Sequence, residues 1–321
     1  MKKVVLLMGG ESLEHTVSLE SSKSILENID KKKFQVLPII IGKDGTWYEY
    51  HGETLNLLNW EEGPISVIDN VPILLKSYDI VLPMIHGAFG EDGRLQSFLE
   101  LFHIPYVGCN SKTSMLGMDK EYMKMLAKEH NISMLPYQVL TKENIKKVTD
   151  FPVIVKPASG GSSIGIGIAH SKKELLHKYK ETLSCDSKVI MEKYAHVREL
   201  EVGILTNKKK TYFSSIGEIL TDGNVYDYDK KYVDSMSTTT KASIPKEVEK
   251  RVYEMAQKIS KIFALKGMTR IDFFYEEDTN SIYFNEINTI PGFTTISMYP
   301  KLWESKKIDY QKLLTNLIEW S

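Results

Sequence analysis

The sequence predicts an α/β protein in three parts: a parallel-sheet N-terminal domain, then two smaller α+β domains meeting it at a cleft. Three observations carry this. The 321 residues exceed what one compact core usually organises. Strand and helix patterns alternate over residues 1–110, as a parallel sheet with crossover helices requires. Beyond residue 110 strands also come as hairpins, which need no crossover.

Lys3 to Met8 reads as a buried strand, Gly9 and Gly10 break it, and Ser18 to Ile29 follows with Leu19, Ile25 and Leu26 at helical spacing. Strands at Phe34 to Ile41 and Asp79 to Met84 and a helix at Arg94 to Leu101 complete a Rossmann-like unit, residues 1–110. A Lys/Met/Glu-rich helix at 119–130 opens the second unit, 111–195. Its centre is a strand at Val153 to Lys156, a Gly/Ser loop too long to be only a turn, and a strand at Ile166 to Ala169.

The third unit, 196–321, carries strands at Glu199 to Leu205 and Thr211 to Glu218, then a polar, tyrosine-rich, lid-like segment from Thr221 to Ser243. Pro245 opens a helix in which Val248, Val252, Met255, Ile259, Ile262 and Phe263 form one apolar stripe. Strands at Met268 to Tyr275 and Ser281 to Asn288 flank the turn EEDTN, and Tyr310 to Ile318 is a closing helix.

Forty-one basic residues against forty-two acidic ones leave a formal charge of -1, so no global field favours nucleic acid or an anionic membrane. Cys109 and Cys185 lack a CxxC or His-rich partner pattern, which argues against a zinc site or a disulfide framework. No stretch reaches the roughly 18 apolar residues of a membrane span. A cytosolic protein acting on small molecules is the expectation.

The strongest chemical pattern is RID at 270–272 followed by NEINTIPGF at 285–293. A hairpin centred on Thr279 sets Asp272 opposite Glu286 and Arg270 opposite Asn288, all on one face. Like charges facing each other across a sheet are unfavourable, so a cation between them is the simplest explanation. All-oxygen ligands suit Mg²⁺, which leaves other coordination positions to water and phosphates. The bland alternative is a solvated polar face neutralised by Arg270. The second pattern is VIVKPASGGSSIGIG at 153–167, where glycines let backbone N–H groups close on phosphate oxygens beside Lys156. It lacks the ending and following helix of a P-loop, and a plain flexible hairpin is its alternative. GGESLE at 9–14 does not complete a dinucleotide fingerprint. HGAFGEDGRLQ at 86–96, taken alone, is a loop feeding a helix with acids in its first turn. His51, His130 and His177 have no spaced partners and read as surface residues.

Together, HGAFGEDGRLQ, MDK at 118–120, EKY at 192–194, RIDFF and FNEINTIPGF resemble, in order, the motifs of the D-alanine:D-alanine ligase family of ATP-grasp enzymes. The resemblance runs from Gly9 to at least Pro300. It implies an ATP-grasp fold and the two-step joining of D-alanine to D-alanine through an acyl phosphate, for peptidoglycan precursors. It further implies that Lys120 and Lys156 contact the phosphates of ATP, Glu192 and Lys193 the adenine, and Glu199 the ribose. Asp272, Glu286 and Asn288 would hold two Mg²⁺ ions, with Mn²⁺ as an alternative, and Arg270 and the Gly292 backbone would face the oxyanion. Ser297 and the Met298 N–H would receive the second substrate's carboxylate, with His86 near the substrates. Lys231 and Tyr232, in YDYDKKY at 226–232, resemble the inward-reaching pair of the family's lid and favour a dipeptide product over a depsipeptide. A homodimer is also implied.

One departure stands out. The family's N-terminal motif reads close to E-H-E-V-S, and its second Glu is expected to bind the first amino group with the help of Ser162 and Tyr232. Here the run is Glu14-His15-Thr16-Val17-Ser18, so a threonine stands where that carboxylate is expected, with Glu14 nearby. A related ligase for another amino acid, such as D-serine in second place, and a nucleotide-binding homologue without ligation are the competing readings.

Overall fold

The computed structural model describes residues 1–161, 165–207, 209–220 and 237–321. Ser162, Lys231, Tyr232 and most of the expected lid lie outside the described residues.

The first sheet contains β1 (Lys2–Gly9), β2 (Phe34–Ile41), β3 (Trp47–Tyr50), β4 (Ile65–Val67) and β5 (Ile80–Pro83), in the order β4-β3-β2-β1-β5. Its centre is parallel, β1 pairing with β2 and β5, as the alternating pattern predicts. β3 and β4 add antiparallel strands at one edge that the sequence reading did not contain. Helices α1 (His15–Asn28), α2 (Val71–Lys76) and α3 (Arg94–Leu101) cover it. The two-residue period of β1 explains why both faces are buried. Val4, Leu6 and Met8 pack with Leu19 and Ile25 of α1, while Val5 and Leu7 pack with Leu75 of α2 and Leu95 and Leu99 of α3.

After α4 (Ser111–Met118) and α5 (Lys120–Glu129) comes an antiparallel sheet in the order β6-β9-β7-β8. Its strands are β6 (Tyr137–Leu140), β7 (Val153–Pro157), β8 (Gly167–Ala169) and β9 (Val189–Lys193), and α6 (Lys172–Leu183) covers one side through Leu175.

The third sheet runs β12-β11-β10-β13-β14, from β10 (Arg198–Thr206), β11 (Thr211–Leu220), β12 (Ser237–Thr239), β13 (Met268–Glu276) and β14 (Ser281–Asn288). One face, with Leu200, Val202, Ile204, Ile271 and Phe273, packs under α7 (Lys246–Ile262), whose apolar stripe buries Val248, Val252, Ala256 and Ile259. The opposite face is divided. At one end Leu205 and Met268 lie with Tyr299 and Trp303 of α8 (Met298–Glu304) and Leu313 and Leu317 of α9 (Tyr310–Trp320), in the same core as Val4 and Leu6 of β1. At the other end the side chains are charged.

Candidate active site

The charged end takes its order from strand register. β10 pairs with β13 so that Glu201 opposes Asp272, and β13 pairs with β14 so that Asp272 opposes Glu286 and Arg270 opposes Asn288. The hairpin expectation therefore holds at the site. Nearer the turn the register is offset by one residue at an irregularity between Asp272 and Phe273. Arg270 grips Asp272 with two bonds of 2.7 Å, Nε to Oδ1 and a terminal nitrogen to Oδ2. Its terminal nitrogen also lies 3.3 Å from Glu201 Oε1, and the Asn288 amide donates to Asp272 Oδ2 at 2.9 Å. Burial works against the Arg270 charge, but Asp272 and Glu201 outweigh it and hold the guanidinium well above its ordinary range. Burial raises the Asp272 carboxyl despite Arg270, with Glu286 and Glu199 adding to the rise.

Glu199 and Glu201, alternate residues of β10, share this face. Asp272, Glu201 and Glu286 thus set negative charge around Arg270, Glu199 adds to that near Asp272, and Lys120 Nζ stands 3.6 Å from Glu286 Oε2. Among the described residues no three His, Cys, Asp or Glu side chains converge as a ready-made metal cage. Two carboxylates and an amide on a half-open, acid-rich face nevertheless fit a hard divalent cation that shares its shell with phosphates and water.

Across the cleft Lys156 on β7 has its Nζ 2.8 Å from Glu192 Oε2 on β9, and Glu192 Oε1 lies 2.8 Å from Lys124 Nζ on α5. All three side chains are buried. Two lysines share one carboxylate, and the excess positive charge beside the Gly/Ser loop suits a phosphate. Burial would raise Glu192, but Lys124 and Lys156 bring it down to about 2. The carboxylate expected at the adenine is thus committed to lysines, while Lys193 is exposed. Lys120 donates to the Gly160 carbonyl at 2.7 Å, tying α5 to the same loop.

Thr16 is exposed, and Glu20, one helical turn on, is exposed with it, so this line of α1 faces solvent. Glu14, the residue preceding α1, points at the site instead: a Cβ on Gly161 would lie 3.1 Å from Glu14 Oε2, and one on Gly87 would collide with that same oxygen. The carboxylate lies against the HGAFG loop and the Gly/Ser loop.

His86 belongs to the loop after β5. Its ring is buried and both nitrogens are engaged, Nδ1 with the Ile290 carbonyl at 3.0 Å and Nε2 with Ser21 Oγ at 3.0 Å. A carbonyl only accepts, so Nδ1 carries the proton, and burial lowers the pKa to about 4. This ring supports a loop and has no nitrogen to offer a substrate.

On the loop after β14, a Cβ at Gly292 would sit 2.8 Å from Ser297 Oγ, so a larger residue would force that hydroxyl to move. Ser297 Oγ accepts from the Thr294 N–H at 3.0 Å, and Met298 begins α8.

Sequence reasoning missed Lys124 and Glu201. Strand alternation from Glu199 was the one signal that could have found Glu201; Lys124 depends on tertiary packing.

Comparison with known proteins adds the following. A family profile described as D-ala D-ala ligase N-terminus matches residues 3–109, and one described as D-ala D-ala ligase C-terminus matches residues 114–319. The D-alanine--D-alanine ligase of Caldicellulosiruptor bescii is 40% identical, over 98% of this chain and 94% of the relative. That of Clostridium acetobutylicum is 39% identical, over 99% of this chain and 97% of its own. Among solved structures, the VanG D-Ala:D-Ser ligase of Enterococcus faecalis superposes with a TM-score of 0.89 at 33% identity, covering 99% of each chain. The D-alanine-D-alanine ligase of Coxiella burnetii gives 0.84 at 30%, covering 99% of this chain and 93% of that one.

Proposed function

The chain belongs to the D-alanine:D-alanine ligase family of ATP-grasp enzymes, and from that premise we propose how its own residues join two amino acids. It is an ATP-dependent ligase that couples D-alanine to D-alanine for peptidoglycan synthesis. In the proposed reaction the carboxylate of the first D-alanine accepts the terminal phosphoryl group of ATP. The neutral amine of the second then attacks the acyl carbon, phosphate is expelled from the tetrahedral intermediate, and the nitrogen gives up one proton as the peptide bond forms.

Glu14 anchors the ammonium group of the first substrate, in place of the role expected of Thr16. Lys156 and Lys120 hold the phosphates, Lys156 exchanging part of its contact with Glu192 for a phosphate oxygen while Lys124 keeps that carboxylate neutralised. Asp272, Glu286 and Asn288 would hold Mg²⁺, which would supply Lewis-acid neutralisation of the phosphate charge during transfer. Arg270, kept charged by Asp272 and Glu201, and the Gly292 N–H meet the oxyanion of the tetrahedral intermediate. Ser297 and the Met298 N–H receive the second carboxylate. Ser162, Tyr232 and Lys231 keep the roles that the resemblance implies, as do Glu199 at the ribose and Lys193 at the adenine. A cytoplasmic homodimer completes the reading.

The observation that carries it is the Asp272–Glu286 cross-strand pair with Arg270 beside it and Lys120, which also holds the Gly160 carbonyl, 3.6 Å from Glu286. The test is phosphate release from ATP and Mg²⁺ against a panel of D- and L-amino acids, with the product weighed by mass spectrometry. D-alanine-dependent release and D-alanyl-D-alanine are expected; no release with any amino acid would defeat the proposal. The likeness to the D-Ala:D-Ser ligase favours one second reading, D-serine in the second site. Mixed D-alanine and D-serine in the same panel decide it.

A further inference from the structure

The backbone that carries Gly292 is held by side chains from the far end of the chain. The Ile290 N–H donates to Glu91 Oε2 at 3.1 Å, the Ile290 carbonyl accepts from His86 Nδ1 at 3.0 Å, and the Phe293 N–H donates to Ser21 Oγ at 3.2 Å. These bonds join residues 199, 204 and 272 positions apart in sequence. Between the two held amides stand Pro291, which has no N–H, and Gly292.

The holding groups also hold one another. Ser21 Oγ, which accepts from Phe293, gives its own proton to His86 Nε2 at 3.0 Å, because the His86 proton is already on Nδ1. Glu91 Oε1 accepts from the Gly87 N–H at 3.0 Å, and the Ser12 hydroxyl donates to the His86 carbonyl at 2.8 Å. Ser21 is wholly buried and His86 nearly so. Around these two side chains bonds are strong, and a missing partner leaves a buried polar group unsatisfied.

We propose that Ser21 and Glu91, with His86 between them, are positioning residues that set the Gly292 N–H for the tetrahedral intermediate. The clamp works at both ends of a short segment, so the donor between is fixed before substrate arrives. That is what an oxyanion donor requires, since its effect depends on placement rather than on tight ground-state binding. The proposal rests on the reading of Gly292 as an oxyanion donor.

The test compares Ser21→Ala and Glu91→Gln with Ile25→Val, a core change in the same helix as Ser21 that leaves the loop alone. Four quantities are read: kcat, KM for ATP, affinity for a phosphinate mimic of the tetrahedral intermediate, and amide hydrogen exchange of the peptide covering 289–294. In both clamp variants kcat falls about 10- to 100-fold, as misplacement of a reacting group by an ångström can produce. The phosphinate affinity falls with it, KM for ATP is unchanged, and the loop amides exchange faster. Ile25→Val keeps wild-type kcat and exchange. Unaltered exchange in the clamp variants would overturn the clamp. Faster exchange with wild-type kcat and phosphinate affinity would overturn the Gly292 assignment, and the proposal with it. Should Ser21→Ala fail to fold, Glu91→Gln gives the same readouts from an independent side chain. Absence of ligation altogether would already appear in the wild type and so be told apart.

Discussion

Glu14 precedes the first turn of α1 yet makes no side-chain hydrogen bond to it; its oxygens lie against Gly87 and Gly161. Charge-assisted contacts contribute about 1.5–3 kcal/mol, or one to two powers of ten in affinity. Glu14→Gln is therefore expected to raise KM for the first D-alanine about 10- to 100-fold, while Thr16→Ala and Thr16→Glu leave it near wild type. Initial rates with the second site saturated check this; a large effect at Thr16 would contradict the placement. Half-buried Glu91 and buried His86 make a second prediction. Burial, aided by the Glu14 charge, raises Glu91 from 4.5 to about 7, and burial lowers His86 from 6.5 to about 4. Between 4.5 and 7 the fold retains the Glu91 proton that the unfolded chain has lost, so this contribution to stability falls as pH rises. Between 6.5 and 4 the unfolded chain takes up a His86 proton that the fold refuses, so this contribution falls as pH drops. The two slopes oppose each other over most of the same window. Urea denaturation from pH 4.5 to 6.5 should therefore show Glu91→Gln losing stability with acid, His86→Gln gaining it, and the wild type changing less than either. Three parallel profiles would refute the opposition.

At the scale of elements, α5 is fixed where it presents Lys120 to the phosphate loop. Asp119 accepts from the Glu121 and Tyr122 N–H groups as its N-cap, and Lys188 Nζ lies 2.8 Å from Asp119 Oδ2 and 2.6 Å from Glu121 Oε2. The Lys120 N–H in turn donates to the Ala158 carbonyl at 2.8 Å. Loss of an N-cap typically costs about 1 kcal/mol, and a partly exposed ion pair adds less than that. Asp119→Ala should lower the unfolding free energy by about 1–2 kcal/mol and also raise KM for ATP, because the helix end and the loop lose their common anchor. An unchanged KM with the expected loss of stability would show that the cap serves only the helix. What was legible here follows from period and pairing. The β13–β14 hairpin could be registered because its turn is short and its faces differ in polarity, and α7 because its apolar stripe is long. β3 and β4 were not legible, since Trp47–Tyr50 and Ile65–Val67 are too short to establish a period. The choice between Glu14 and Thr16 was not legible for a related reason: the sequence places both near a helix start, and only the phase of α1 decides which one faces the loops.

For the whole molecule, the decisive feature is that one core contains residues of β1, α1, α8 and α9 together, so the first sheet and the C-terminal helices stabilise each other. Alternation of strands and helices indicated a Rossmann-like beginning, but no local pattern reports that Val4 and Trp303 share an interior. The same distance in sequence hid Lys124, whose burial against Glu192 depends on α5 meeting β9. A shared core implies that unfolding is cooperative and that a ligand in the cleft raises the stability of the whole chain. At a free ATP concentration a hundred times its Kd, stabilisation is about 2.7 kcal/mol if only the fold binds it. If Asp272, Glu286 and Asn288 hold Mg²⁺ between protein and phosphates, most of that stabilisation should vanish when EDTA replaces Mg²⁺. In Asp272→Asn the ATP-induced shift should be small with or without EDTA. Because that substitution also removes the carboxylate that Arg270 grips, each variant is compared only with itself, ATP present against ATP absent. Thermal unfolding followed by circular dichroism reads both points. Two separated transitions would break the shared-core argument, and an ATP shift in the wild type that EDTA leaves untouched would remove the metal from the acid-rich face of β10, β13 and β14.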